Sequence, residues 1–254
     1  MIEPGQLLML VSPDQKKYFV SADPEATLNT HDGTLSIGAA MQEGFGGRVN
    51  THKDKKYLVL KPGLYDFIKS IKRSTQIMYP KEIGYIAVKL GIGPGRKIIE
   101  AGSGSGSLTT ALAWFAGETG RVFTYERRED FYNLCAKNLE RCGLQSRVEQ
   151  NLHDIEQGFL HQNADALFLD VRTPGPCLKH IPEAVIPGSP VGFLLPTTNQ
   201  VQDLLYALES GPFGETEVME ILIRRYKPVP DRFRPEDRMV AHTGFLVFTR
   251  CISD

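Results

Sequence analysis

The stretch Lys97–Thr109 reads K-I-I-E-A-G-S-G-S-G-S-L-T. Two apolar residues lead to a carboxylate, Glu100, and glycines then stand at every second position, Gly102, Gly104 and Gly106. A helical pattern begins at Leu108. The pattern predicts a strand, a tight turn and a helix start, with backbone bare enough for a ligand to press against it. Glycine permits positive φ and close approach, and the first N–H groups of a helix are free donors. The dinucleotide spacing G-x-G-x-x-G would put its third glycine where this chain has Ser107. A second acid, Glu126, ends the alternating stretch Arg121–Tyr125, twenty residues beyond Gly106. In nucleotide-binding βαβ units an acid there accepts hydrogen bonds from ribose hydroxyls. A third, Asp170, ends the apolar run Ala166–Leu169, and C-terminal strand ends are where open α/β sheets keep their sites.

The elements that must position these residues follow from periodicity. Strands are expected over 97–101, 121–126, 147–150, 164–170, 190–195, 216–225 and 244–250, and helices over 106–117, 129–142, 177–184 and 199–209. Such alternation predicts an α/β fold with a doubly wound parallel sheet. Only the Pro- and Arg-rich segment 226–243 separates the last two strands, which predicts an antiparallel closing hairpin. Upstream, Leu64–Lys72 and Glu82–Leu90 carry apolar stripes at helical spacing. Residues 1–60 read instead as short strands, Leu7–Val11, Lys17–Val20, Leu35–Ile37 and Tyr57–Leu60, punctuated by Pro, Gly, Asp and Asn. The expected organisation is a small β-rich domain over 1–62 and an α/β domain over 63–254.

The chain has 254 residues, 41% of them hydrophobic, enough for one large domain with a small appendage. It has no apolar run long enough to span a membrane. The N-terminus lacks the basic start of a secretory signal, so a cytoplasmic protein is expected. Cys135, Cys142, Cys177 and Cys251 form no C-x-x-C pair, which argues against zinc and redox motifs; they are read as reduced thiols. With a net charge of −1, binding to a polyanion must rest on local patches. Two exist. Arg48, Lys53, Lys55, Lys56, Lys61, Lys69, Lys72, Arg73 and Lys81 are opposed only by Asp54 and Asp66. Arg224, Arg225, Lys227, Arg232, Arg234 and Arg238 stand against Asp231, Glu236 and Asp237. Two such stretches on one chain point to a polyanionic substrate.

The G-x-G-x-G turn with its acidic lead-in resembles motif I of S-adenosylmethionine-dependent methyltransferases. A wider set of segments resembles the tRNA adenine-58 N1-methyltransferase family. Arg73–Lys81, R-S-T-Q-I-M-Y-P-K, is similar to that family's R-x-T-Q-I-x-Y-P-K-D, with Glu82 where Asp is usual. Glu100–Thr109 matches almost unaltered. Glu126 takes the ribose position, Asp154-Ile155 the position that meets the cofactor's adenine, and Ala166–Asp170 ends in the family's catalytic aspartate. Arg238–Val247, R-M-V-A-H-T-G-F-L-V, completes the set. Where the family reads D-x-x-x-P-W, this chain has Asp170-Val171-Arg172-Thr173-Pro174-Gly175.

The resemblance implies a seven-stranded Rossmann-like methyltransferase sheet and transfer of a methyl group to N1 of adenine 58 in the T-arm of tRNA. Some relatives also modify adenine 57. It implies S-adenosylmethionine held by Gln76, Met78, Tyr79, Gly102, Ser105, Gly106, Ser107, Glu126, Asp154, Ile155 and Asp170, with Asp170 catalytic and no metal. Tyr79 reads either as a closing segment over the cofactor and substrate or as a core aromatic. His242 reads as a structural residue or as a substrate contact. The family is typically a homotetramer of two tight dimers. The alternatives are a methyltransferase acting on another RNA position or a non-RNA substrate, and a non-catalytic RNA-binding subunit; intact motif I and Asp170 disfavour the second.

Overall fold

Short strands with one buried face build the first of two units, Met1–Phe67, in the computed structural model; residues 1–73 and 78–253 are described. The strands are β1 (Leu7–Val11), β2 (Lys17–Ser21), β3 (Thr27–Thr30), β4 (Gly33–Ser36), β5 (Arg48–Asn50) and β6 (Lys56–Leu60), with helix α1 (Ile37–Glu43) between β4 and β5. An antiparallel sheet of order β2-β1-β6-β5 and a β3-β4 hairpin enclose Leu8, Leu10, Leu35, Ile37, Tyr57 and Val59. The expected strand Leu35–Ile37 is corrected here. Ser36 accepts a hydrogen bond from Ala39 N–H, caps α1, and ends the strand at its own position. β3 and β5 were not expected, being short and polar. Helix α2 (Leu64–Ser70) then leads into the second unit, Ile68–Asp254.

The second unit runs α3 (Pro80–Lys89), β7 (Lys97–Ala101), α4 (Ser107–Ala116), β8 (Arg121–Glu126), α5 (Glu129–Arg141), β9 (Val148–Leu152), β10 (Ala166–Leu169), α6 (Ile181–Ala184), β11 (Pro190–Leu195), α7 (Thr198–Glu209), β12 (Phe213–Met219), β13 (Tyr226–Lys227), β14 (Arg234–Pro235) and β15 (Phe245–Cys251). The main sheet has seven strands in the order β12-β15-β11-β10-β7-β8-β9. β7 to β11 are parallel, and β15 lies antiparallel between β11 and β12. Ile99, Leu167, Leu169, Val191, Phe193 and Val247 fill one face of this sheet with fully or nearly fully buried side chains. Among the described residues no helix is long and apolar enough to cross a membrane, and all four cysteines are free thiols.

From β7 the chain winds outward through β8 and β9, then returns to place β10 on the other side of β7. This reversal is the switch point at which such sheets open a crevice. Register sets Ala101 beside Leu169 on one side and Tyr125 on the other, so Gly102, Glu126 and Asp170 emerge together.

Two expectations need correction. The strand expected over 216–225 is β12, Phe213–Met219. Its partner β15 starts at Phe245 and pairs Leu246 with Met219; past that point the apolar Leu222 and Ile223 have no strand to join and are exposed. The helix expected over 177–184 is a 3₁₀ turn, Gly175–His180, followed by the four-residue α6. Pro176 and Pro182 each lack an N–H for a continuous ladder.

Candidate active site

β7 ends in the glycine turn because its neighbour leaves no alternative. Asp170 N–H donates to the Ala101 carbonyl at 2.8 Å, so the backbone of β10 runs against Gly102. A Cβ on Gly102, whose φ is +87°, would lie 2.1 Å from the Asp170 carbonyl oxygen. Gly104 is different: a Cβ there would meet only the Gly102 oxygen at 3.9 Å. It faces a cleft of about 390 Å³ lined also by Gly102, Glu126, Asp154, Ile155 and Asp170.

Glu126 closes the turn from β8. Its Oε2 accepts from Gly104 N–H at 3.1 Å and its Oε1 from Arg128 N–H at 3.0 Å, leaving lone pairs on both oxygens for a ligand. Asp154 accepts from Glu156 N–H at 3.1 Å and so fixes the turn that presents the buried Ile155. Ser105, Gly106 and Ser107 are buried and are not among the cleft's lining. Ser107 Oγ donates to the Met78 carbonyl at 2.9 Å, tying the start of α4 to the segment before α3. Gln76 lies outside the described residues.

Three acids converge on the turn. Glu100 is fully buried and accepts from Thr124 Oγ1 at 2.9 Å. Burial pushes it up to about 7, against its hydroxyl partners and with the charges of Asp170 and Glu126 adding to the rise. Asp170 opens onto the cleft but is walled by protein; loss of hydration pushes it up to about 7, and the neighbouring Glu126 charge contributes.

Asp170 also lines a second, smaller pocket of about 220 Å³, with Met78, Tyr79, Glu82, Leu194, Pro196 and Thr243. Asp170 is therefore a wall common to both cavities. The polar side of this pocket is a buried network. Lys81 Nζ pairs with Glu82 Oε1 at 2.8 Å and donates to Thr243 Oγ1 at 2.7 Å and to the Ile221 carbonyl, while Thr243 Oγ1 also donates to Glu82 Oε1. Lys81, counted in the sequence among the basic surface residues, is thus internally paired. Glu82 and Thr243 were not foreseen as site residues. The only signal for Glu82 is its place after Y-P-K.

His242 does not line either cavity. Its Nδ1 meets Glu220 Oε1 at 2.8 Å and its Nε2 meets the Pro196 carbonyl at 3.0 Å. Both partners are acceptors, which favours the protonated ring and raises its pKa, through the Pro196 carbonyl first and Glu220 second. Its ring packs on Phe245 with centroids 4.8 Å apart. The arrangement braces Pro196, a pocket wall.

Exposed cations are present in both basic stretches. Arg48, Lys53, Lys55, Lys56 and Lys61 are exposed in the first unit, and Arg224, Arg225, Arg232, Arg234 and Arg238 in the second. Lys227 is paired with Asp237 at 2.5 Å.

The site as built offers bare backbone and carboxylate acceptors in one cavity, an acidic and apolar pocket beside it, and Asp170 lining both. Known proteins share this chain's plan. It is 32% identical over 251 residues to the tRNA (adenine(58)-N(1))-methyltransferase TrmI of Thermus thermophilus, covering 98% of each chain. Its structure matches that of a SAM-dependent O-methyltransferase from Thermotoga maritima, with a TM-score of 0.89 and 40% identity over 99% of this chain and 95% of the other. It also matches the tRNA (m1A58) methyltransferase TrmI of Aquifex aeolicus, with a TM-score of 0.79 and 36% identity over 99% of both. Residues 57–234 match the family described as the tRNA methyltransferase complex GCD14 subunit. By sequence and by fold, the chain belongs to the GCD14 family.

Proposed function

We propose that this protein transfers the methyl group of S-adenosylmethionine to N1 of adenine 58 in tRNA, adenine 57 being a second acceptor in some relatives. The observation that carries the reading is Asp170, the residue that lines both cavities. The larger cleft fits the cofactor: Gly104 leaves open space where any side chain would intrude, and Glu126 and Asp154 are placed to accept from hydroxyl and amino groups. The smaller pocket takes the flipped base. When bound, S-adenosylmethionine supplies an electrophilic sulfonium methyl.

N1 of a neutral adenine is a modest nucleophile. Asp170 accepts a hydrogen bond from the exocyclic N6–H, pushes electron density toward N1, and stabilises the positive charge that develops on the ring. Met78 and Tyr79 hold the base, and the rest of the rate comes from positioning. Extracting the base from the stack costs a few kcal/mol, which phosphate contacts from the exposed Lys and Arg residues offset. The protein works in the cytoplasm as a homotetramer. The exposed Leu222, Ile223, Phe233 and Val240 give a second copy apolar surface to bind.

Two measurements test the parts of this reading. Glu126→Ala is expected to weaken S-adenosylmethionine binding in calorimetry by about tenfold or more, since charge-assisted hydrogen bonds contribute ~1.5–3 kcal/mol each. Unchanged affinity contradicts the ribose role. Affinity for unmodified tRNA is expected to fall steeply with added salt, because each neutralised phosphate releases counterions. Replacing Lys55 and Lys56 together by Ala should flatten that slope and leave cofactor binding alone. A slope near zero in the wild-type protein would point to a substrate other than nucleic acid.

A further inference from the structure

Glu82 is 2% exposed, and its two carboxylate oxygens have different surroundings. Oε1 receives Lys81 Nζ and Thr243 Oγ1. Oε2 is buried with no hydrogen-bond partner among the described residues. An acceptor left unpaired in a protein interior is costly, and a charge-balanced network normally rotates to satisfy it. Here Lys81 and Thr243 hold Oε1 and fix the carboxylate, so Oε2 keeps its place. Glu82 lines the smaller pocket together with Asp170. The pocket therefore carries two carboxylates from elements remote in sequence, the first turn of α3 and the end of β10.

We infer that Glu82 is a specificity-determining residue: its Oε2 accepts one hydrogen of the target's exocyclic amino group while Asp170 accepts the other. The inference rests on the reading of this pocket as the site of the flipped adenine. An –NH₂ group has two hydrogens, and two fixed acceptors match both. A ring oxo group at the same position, as in guanine or hypoxanthine, would present lone pairs to two carboxylates and be repelled. An N6-methylated adenine would have one hydrogen for two acceptors and a methyl group against the second. Sites built to pair a donor reject analogues lacking it far more strongly than apolar pockets reject an extra methyl. Lys81 and Thr243 act as positioning residues, holding the carboxylate so that Oε2 faces the base.

The test uses tRNA carrying either adenine or N6-methyladenine at the target position. Methyl transfer is measured under single-turnover conditions, and RNA affinity separately with S-adenosylhomocysteine bound. The wild-type protein should favour adenine by about 100-fold or more. Glu82→Ala removes the acceptor and leaves space for the methyl, so the preference should fall to about tenfold or less in both readouts, with S-adenosylmethionine affinity unchanged. Glu82→Gln keeps the size; with its carbonyl on Lys81 it turns an amide donor toward the base, and transfer to adenine should drop by about 10–100-fold. A merely structural Glu82 would lower the melting temperature or cofactor affinity and leave the adenine preference where it was, which overturns the inference. If neither variant folds, the wild-type ratio decides, since no discrimination against N6-methyladenine excludes two acceptors at N6. Failure of the wild-type protein to methylate the adenine tRNA at all would instead overturn the function proposed above.

Discussion

Asp170→Asn is expected to lower the rate of methyl transfer by about 10²–10⁴-fold, the range for loss of a positioned acid–base group, with S-adenosylmethionine affinity close to wild type. The substitution keeps the size of the side chain and its backbone bond to Ala101. It removes the negative charge beside the developing positive ring and can turn a donor toward N6–H. The same carboxyl is expected to set the pH dependence. The protein walls around it strip hydration and, with the Glu126 charge, raise it to about 7, so it is neutral below that pH and an acceptor carboxylate above it. Transfer by the wild-type protein should therefore rise with pH through about 7. The step should be missing from the residual activity of Asp170→Asn. Near wild-type turnover in that variant, or a flat profile in the wild type, means that N6 activation is wrong and positioning alone carries the chemistry.

Gly102→Ala is expected to damage the fold itself, and Gly104→Ala to damage only binding. At Gly102 the new Cβ would stand 2.1 Å from the Asp170 carbonyl oxygen and 2.8 Å from its carbon. Both are backbone atoms of a central strand's end and cannot swing aside. Overpacking costs about 1–3 kcal/mol, and a non-glycine residue at positive φ adds about 1–2 kcal/mol. Together these should lower the melting temperature by roughly 5–15 °C and displace Asp170 from the wall between the cavities. At Gly104 the Cβ enters open cleft. That variant should melt within a few degrees of wild type, since a left-handed φ costs only about 1–2 kcal/mol, while cofactor binding in calorimetry falls sharply. Equal effects of the two substitutions on melting would contradict the packing described for β7 and β10.

The comparison of these two glycines shows what local sequence carries. Glu100, Gly102, Glu126 and Asp170 were legible because each stands within two residues of a strand end whose apolar run and following turn are written in consecutive residues. The parallel pairing of β7 to β11 follows from the same alternation. What escaped depends on partners distant in the chain. Glu82 and Thr243 are 161 positions apart and meet only through the fold. Lys81 reads as a surface cation until that network encloses it. His242 reads in the sequence as a structural residue or a substrate contact, and only the fold shows both its nitrogens engaged, one by a carbonyl 46 positions away. The end of β12 is set by where β15 begins, not by the apolar residues that continue beyond it. In α1, the cap at Ser36 was the available signal, and the run G-A-A-M-Q-E is too short for its helical period to stand out.

Methyl transfer to a ring nitrogen must be told apart from transfer to oxygen, the chemistry named for the SAM-dependent O-methyltransferase of Thermotoga maritima. The most direct measurement incubates the pure protein with unmodified tRNA and labelled S-adenosylmethionine, digests the product to nucleosides and fragments, and maps the label by mass. The expected result is 1-methyladenosine at position 58, absent when that position carries a base other than adenine. Label on a ribose or other oxygen, on a different nucleotide, or no incorporation into tRNA would contradict it.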